Sequence, residues 1–359
     1  MIRWRSGEVE TLGRRWRGAV ELEVRVDQRA AGDPSRVRAL AYPELVGEPQ
    51  PGDRVLLNAN ALALGLGTGG YALVVALPDR LPPDADGPGH IVKARYTPLQ
   101  VVRLAADEEA SPYREVLAAA DDIGGMPVVL ADLHSALPAI LAGIQATRPQ
   151  TRVVYVMTDG GALPAWFSRS LAELGDRLTG TITAGQAFGG DLEAVNVHTA
   201  LLAARHAFGA DITIVAQGPG NLGTGTPWGY SGVAVGEAVN AVVALGGRPV
   251  GSLRVSAADP RPRHRGVSHH SLTAYGRVAL AAADLAVPAD LPGELAVSVP
   301  AALAPLAERH RIVTVDCAGL DDALRSSPVR LSTMGRGLDG DYAYFLTAAA
   351  AGRHAASLL

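Results

Sequence analysis

Seven apolar runs in the later two thirds of the chain, at 127–131, 152–157, 180–183, 211–216, 250–255, 295–299 and 311–315, lack the alternation of a strand with one wet face. A strand that is apolar at successive positions is buried on both sides, the situation of a parallel sheet covered by helices. Between the runs lie helical patterns at 135–145, 164–174, 192–208, 232–245 and 271–285, and a last helix is expected from about Tyr342 onward. This alternation sets the fold class as α/β, a mostly parallel sheet with helices on its faces.

The first hundred residues follow another rule. Val20, Leu22, Val24 and Val26 alternate with Glu21, Glu23 and Arg25, the period of two that sends one face inward and the other to water. Further strand-like runs at 37–42, 53–58, 71–77 and 90–96 are parted by turns at Gly32-Asp33-Pro34, Pro51-Gly52-Asp53 and 65–70, with 78–89 as a surface loop. No stretch between them has room for a crossover helix. The strands are therefore expected to pair antiparallel and to hide their edges by curling into a small barrel. A length of 359 residues suits two domains, placed at 1–105 (barrel-like β) and 106–359 (α/β). The second opens on a short helix with Ser111 as N-cap and Pro112 at its first position.

Charge narrows the partners. A formal net charge of -4 gives no global attraction to nucleic acid or to an anionic membrane, and no apolar run reaches the roughly 18 residues of a membrane span. The first residues carry no apolar signal-peptide core, so the chain is expected in the cytoplasm. Lys93 is the only lysine, a bias read as one of genome composition, and Cys317 is the only cysteine, which excludes an internal disulfide and a cysteine-based zinc cage.

In parallel sheets ligands bind beyond the carboxyl ends of the strands, where loops and helix N-termini converge. The unusual residues fall there: Asp132-Leu133-His134, Thr158-Asp159-Gly160-Gly161, the 184–191 loop with Gln186, the 218–229 loop, and 259–270. The opposite returns are short and plain. One composite ligand site is expected on that edge.

Gly218-Pro219-Gly220-Asn221-Leu222-Gly223 has the G-x-G-x-x-G spacing after a strand, yet Thr224 to Gly229 delay the next helix and no acidic residue closes the following strand. A dinucleotide cofactor is disfavoured, and with no lysine after the glycines so is a P-loop; the cofactor stays unknown. The loop, through Gly218, Gly220, Asn221, Gly223 and Thr224, is instead a candidate anion cradle, with Ser231 as the N-cap beyond it. Arg261, Arg263, His264, Arg265, His269 and His270 crowd into ten positions before a helix beginning near Ser268. Neutral histidines there suit proton transfer or metal ligation, against the plainer reading of a solvated basic loop. Asp132, His134, Asp159 and Asp191 are candidates to join them around a divalent metal, although no established ligand spacing occurs and Asp191 equally reads as a helix N-cap. His198 reads as a core histidine. Arg336, between Gly335 and Gly337, is a candidate carboxylate or phosphate fork, with a pairing to Asp339 or Asp341 as the alternative.

The segments Gly89-His90-Ile91-Val92-Lys93-Ala94-Arg95-Tyr96-Thr97-Pro98, Asp132-Leu133-His134-Ser135, Thr158-Asp159-Gly160-Gly161 and Ser268-His269-His270-Ser271-Leu272-Thr273-Ala274-Tyr275-Gly276-Arg277, with Thr333-Met334-Gly335-Arg336-Gly337, resemble the bacterial family DUF3866, whose members have no assigned activity. The resemblance spans nearly the whole chain and implies a two-domain unit. It implies no reaction.

The reading that joins these features is an enzyme for a small anionic metabolite, phosphorylated or carboxylated. In it the 218–229 loop, Gln186, Arg263, His264 and Arg336 hold the ligand, and His269, His270, Asp159 and His134 supply the chemistry. The alternatives are a metabolite sensor and a structural or partner-binding subunit, with homo-oligomerisation open to either.

Overall fold

A computed structural model of the chain describes residues 2–27, 34–66, 69–84 and 87–359. The turn expected at Gly32-Asp33, the centre of the 65–70 turn and part of the 78–89 loop fall outside the described residues.

Two compact units form, 1–88 with 94–101 and 89–93 with 102–359. The smaller is a closed five-stranded barrel of β1 (Trp4–Trp16), β2 (Ala19–Val26), β3 (Arg36–Ala41), β4 (Arg54–Asn58) and β5 (Ala72–Ala76), in the order β1-β2-β3-β5-β4. Val20, Leu22 and Val24 point into its core with Val9, Ala39, Val55, Leu57 and Val74, as the period of two requires. Two features depart from expectation. The β3–β5 pair is parallel, the others antiparallel. Strand β1 carries no apolar alternation because only Gly7 and Val9 along it are buried; its remaining side chains face outward, where Glu8 and Glu10 pair with Arg25 and Arg36.

Next in chain order come β6 (Ile91–Lys93) and β7 (Val101–Arg103), so the run expected at 90–96 is a strand for three residues only. The larger unit is built on eight parallel strands: β8 (Pro127–Ala131), β9 (Val153–Thr158), β10 (Gly180–Ala184), β11 (Leu192–Ala194), β12 (Ile212–Gln217), β13 (Arg248–Ser252) and, after the short hairpin of β14 (Val255–Ser256) and β15 (Gly266–Val267), β16 (Asp284–Pro288) and β17 (Arg311–Val315). Their order is β11-β10-β9-β12-β8-β13-β16-β17. Successive residues feed opposite cores. Val128, Leu130, Val154 and Val156 pack with helices Val197–His206 and Ala234–Ala244, whereas Val129, Val153, Tyr155 and Met157 pack with helices Leu137–Thr147 and Tyr342–Ser357. Burial on both faces accounts for the continuous apolar runs.

Helices Leu137–Thr147 and Tyr342–Ser357 meet backbone to backbone. A Cβ on Gly143 would lie 1.9 Å from the Ala349 carbonyl oxygen, and one on Gly352 would lie 2.0 Å from that of Ile140. Only glycine permits this approach, which draws the alanine-rich final helix onto the sheet.

Several expected elements change type. Residues 295–299 read as a strand because valines dominate, yet Leu295–Leu303 is a helix that buries Leu295, Val299 and Leu303 and leaves Val297 77% exposed. The strand beside β13 is β16, carved from the end of the expected 271–285 helix. That helix is short, His269–Thr273, and runs into a π turn at Ala274–Val278. Asp191 is not a helix cap: Leu192–Ala194 pairs with β10, and the helix after it is capped by Asn196 in a capping box with Thr199. Because this helix starts at Val197, His198 lies exposed rather than in the core. Ser111 does not cap the first helix of this unit, which begins at Arg114.

Candidate functional site

The connections that open the site leave β8, β12 and β13 at their carboxyl ends, in the middle of the sheet where successive crossovers go to opposite sides. Asp132 follows β8, Gln217 closes β12, and Arg254 stands two residues past β13. Over this edge folds 259–270, where a turn at Pro262–His264, the β15 strand and the start of the His269–Thr273 helix bring three imidazoles together.

Ring centroids of His264, His269 and His270 lie 4.4 to 4.9 Å apart. One nitrogen from each comes within 4.8 Å of the others. Ser268 organises them from the helix cap: its Oγ accepts from the His270 amide at 3.2 Å and lies 2.7 Å from His264 Nδ1. Tyr230 stacks on His270 at 3.7 Å. Desolvation, helped by neighbouring charges, lowers His264 to about 3 and His269 to about 4, so both rings are neutral at physiological pH. Asp132 Oδ2 stands 3.7 Å from His270 Nδ1. Among the described residues, both of those atoms and His269 Nε2 are buried without a hydrogen-bond partner, an arrangement that proteins rarely leave empty-handed.

Beside the histidines lies a buried ion network. Asp259, fully buried, binds Arg254 at 3.2 Å, Arg261 at 2.8 Å and Arg336 at 3.4 Å. Hydrogen bonding to Arg261 holds its carboxyl well below the ordinary carboxylate range. Asp341 takes Arg336 at 2.8 Å and the Ser256 hydroxyl at 2.8 Å. Three guanidinium groups thus share two carboxylates in this network, and Arg254, only 3% exposed, keeps its Nη1 bare.

The other candidates divide. Arg336 pairs with Asp341, as one sequence reading had it, although the pair is buried rather than superficial. Arg263 is exposed and reaches Gly225 of the 218–229 loop, where a Cβ would lie 3.5 Å from its Nη2. That loop spends much of its hydrogen bonding on itself. Thr224 N donates to Gly229 O, Leu222 N to Ser231 Oγ, and Asn221 Oδ1 accepts from Gln217 Nε2 at 2.7 Å, while Gly218 N returns to Thr158 O and Gly220 and Gly223 shape the turn. Ser231 therefore braces the loop and is not the cap of helix Ala234–Ala244. A cavity of about 20 Å³, room for one water, lies between Asp132, Thr158, Gln217 and Ser231.

His134, Asp159 and Asp191 are not drawn into the histidine cluster. His134 is buried with Nδ1 at 2.9 Å from the Tyr155 hydroxyl and Nε2 at 2.6 Å from Ser168 Oγ, and desolvation lowers it to about 4. Asp159 accepts from the Gln186 amide at 2.8 Å, tying the loop after β9 to the loop after β10. Asp191 accepts from Thr181 N. The first two fasten the carboxyl edge, whereas Asp191 lies beside the start of β10, away from that edge.

Arg254, Tyr230 and Ser268 were not singled out by sequence as parts of the site. The available signal for Arg254 was a charge inside the apolar run 250–255; Tyr230 offered none, because its stacking partner is 40 residues away. Lys93 also gains a role. Fully buried, its ammonium donates to the carbonyls of Gly185, Ala187 and Ala194 and lies 3.5 Å from Glu193, whose carboxyl is pushed up by burial.

A family model described as "Protein of unknown function (DUF3866)" matches residues 38–352. The chain belongs to this family. The match takes in most of β3, all of β4 and β5 of the barrel, the whole parallel sheet and every residue of the histidine cluster and its ion network, so DUF3866 membership covers the site as well as most of the fold. No curated protein matches the chain. Among the described residues no helix is long and apolar enough to cross a membrane.

Proposed function

We propose that this chain is an enzyme acting on a small anionic metabolite, phosphorylated or carboxylated, bound between Arg254 and the histidine cluster at the carboxyl edge of the sheet. The observation that carries this reading is the bare, buried Nη1 of Arg254 in a network where guanidinium groups outnumber carboxylates three to two. A buried donor of this kind costs stability unless a ligand meets it, and an oxyanion is its natural complement. The cluster of His264, His269 and His270 supplies the reactive face, and Arg263 with the 218–229 loop forms the outer rim.

The test is incubation of the full-length protein with pooled phosphorylated and carboxylated metabolites, followed by mass spectrometry. Consumption of one compound, lost in Arg254→Gln and in His269→Ala, is expected. A compound that binds and is returned intact would contradict catalysis and leave a sensor.

A further inference from the structure

The histidine cluster is crowded in a way that proton transfer does not require. A general base needs one imidazole and an orienting partner, whereas here three rings pack together with centroids 4.4 to 4.9 Å apart, His270 edge-on to both others. His264 and His270 are 2% and 4% exposed, and the nitrogens they turn toward one another and toward His269 come within 4.8 Å. Without a shared partner, this places several polar atoms out of water with nothing to bind.

We propose that His264, His269 and His270 form a binding site for one divalent transition-metal ion. One ring is held from behind as a metal-ligating imidazole usually is, and a carboxylate stands ready behind a second. Ser268 Oγ, at 2.7 Å, engages His264 Nδ1 and leaves Nε2 for the ion. The Asp132 carboxylate stands 3.7 Å from His270 Nδ1, so a small ring rotation makes it the orienting acceptor and turns Nε2 inward. His269 already presents a bare, buried Nε2. Three nitrogens around one ion at 2.0–2.1 Å stand about 3.3 Å apart, so loading turns the rings to bring the nitrogens together by up to about 1.5 Å. Imidazole ligands select zinc, copper, iron, cobalt or nickel over magnesium and calcium. Three protein ligands leave a coordination position open, and the neighbouring surplus of guanidinium favours an anion there. This last step rests on the function proposed above; the ion site itself does not.

The experiment is elemental analysis of the purified full-length protein, then chelator treatment and titration with Co2+, read by its visible absorption and by Zn2+ competition. One equivalent per chain is expected, with affinity falling at least about 100-fold in His264→Ala and His269→Ala and about 10- to 100-fold in Asp132→Asn. Mg2+ and Ca2+ should not displace Co2+. A folded wild-type protein that takes up neither Co2+ nor Zn2+, or uptake retained in the His264→Ala/His269→Ala double variant, overturns the site. Thermal shifts with phosphorylated and carboxylated compounds on the chelated protein read the anion separately, so the two proposals fail independently.

Discussion

The ring of His270 lies flat on that of Tyr230, with centroids 3.7 Å apart and planes 3° from parallel, while the Tyr230 hydroxyl donates to the His270 carbonyl at 2.7 Å. One side chain therefore fixes both the backbone and the ring of the histidine nearest Asp132. Tyr230→Phe keeps the stack and removes one of two donors from the His270 carbonyl, which retains the Ala274 amide, at a cost of about 0.5–1.5 kcal/mol. Tyr230→Ala also opens a cavity, for about 3–5 kcal/mol in all. Chemical denaturation of the two variants measures the difference, and equal losses would show that the stack contributes nothing.

His134 predicts a pH dependence of stability. Its pKa falls from about 6.5 in the unfolded chain to about 4 in the fold, so the unfolded state binds the extra proton between those values. Its contribution is complete above pH 6.5 and is lost as pH falls toward 4, roughly 3 kcal/mol across the window. Glu193, raised by burial, acts in the opposite sense but is common to wild type and His134→Gln. Stability measured from pH 4 to 8 should therefore show the wild type losing ground to His134→Gln as the solution is acidified. Parallel curves would mean that His134 is not buried neutral.

Lys93 fastens the strands at one end of the sheet through three carbonyls. Lys93→Met leaves Glu193 without its ammonium and should destabilise the fold by about 3–5 kcal/mol. Lys93→Arg should not rescue it, because a planar guanidinium cannot aim three donors as an ammonium does. Urea midpoints of the two variants decide this, and a wild-type midpoint in either would contradict it.

At Gly352, alanine would press its Cβ into the Ile140 carbonyl. Although alanine favours helix, Gly352→Ala should lose at least about 1–3 kcal/mol through the forced separation of the two helices. A rise in melting temperature would show that they are free to part.

The sequence was most legible where one rule operated alone. The parallel strands β8, β9, β12 and β13 stood out because packing on both faces leaves few polar positions, and the barrel strand β2 because packing on one face leaves a strict alternation; β17 was found by its apolar residues although, as the edge strand, it is half exposed and not buried on both faces. Leu295–Leu303 misled because valine content and a four-residue burial spacing point to different elements, and in the fold the spacing prevails. At the site, local density revealed the histidines. Their partners Tyr230 and Asp132 come from other strand ends, and which carboxylate meets which ring is set by strand order. Strand order keeps Asp159 apart from the cluster, whereas His134 shares the β8 end with Asp132 and is held away by Tyr155 and Ser168, and Asp191 lies near the start of β10.

We propose above that an anion binds between Arg254 and the histidines. Thermal unfolding of the wild type and of Arg254→Gln, against phosphorylated and carboxylated metabolites, tests it most directly. Asp259 keeps Arg261 and Arg336 in the variant, so the network survives the substitution. A compound at 100 times its dissociation constant adds about 2.7 kcal/mol, a shift of several degrees at this size. The account predicts such a shift in the wild type and its loss in Arg254→Gln. No shift with any compound, or an equal shift in both proteins, would contradict it.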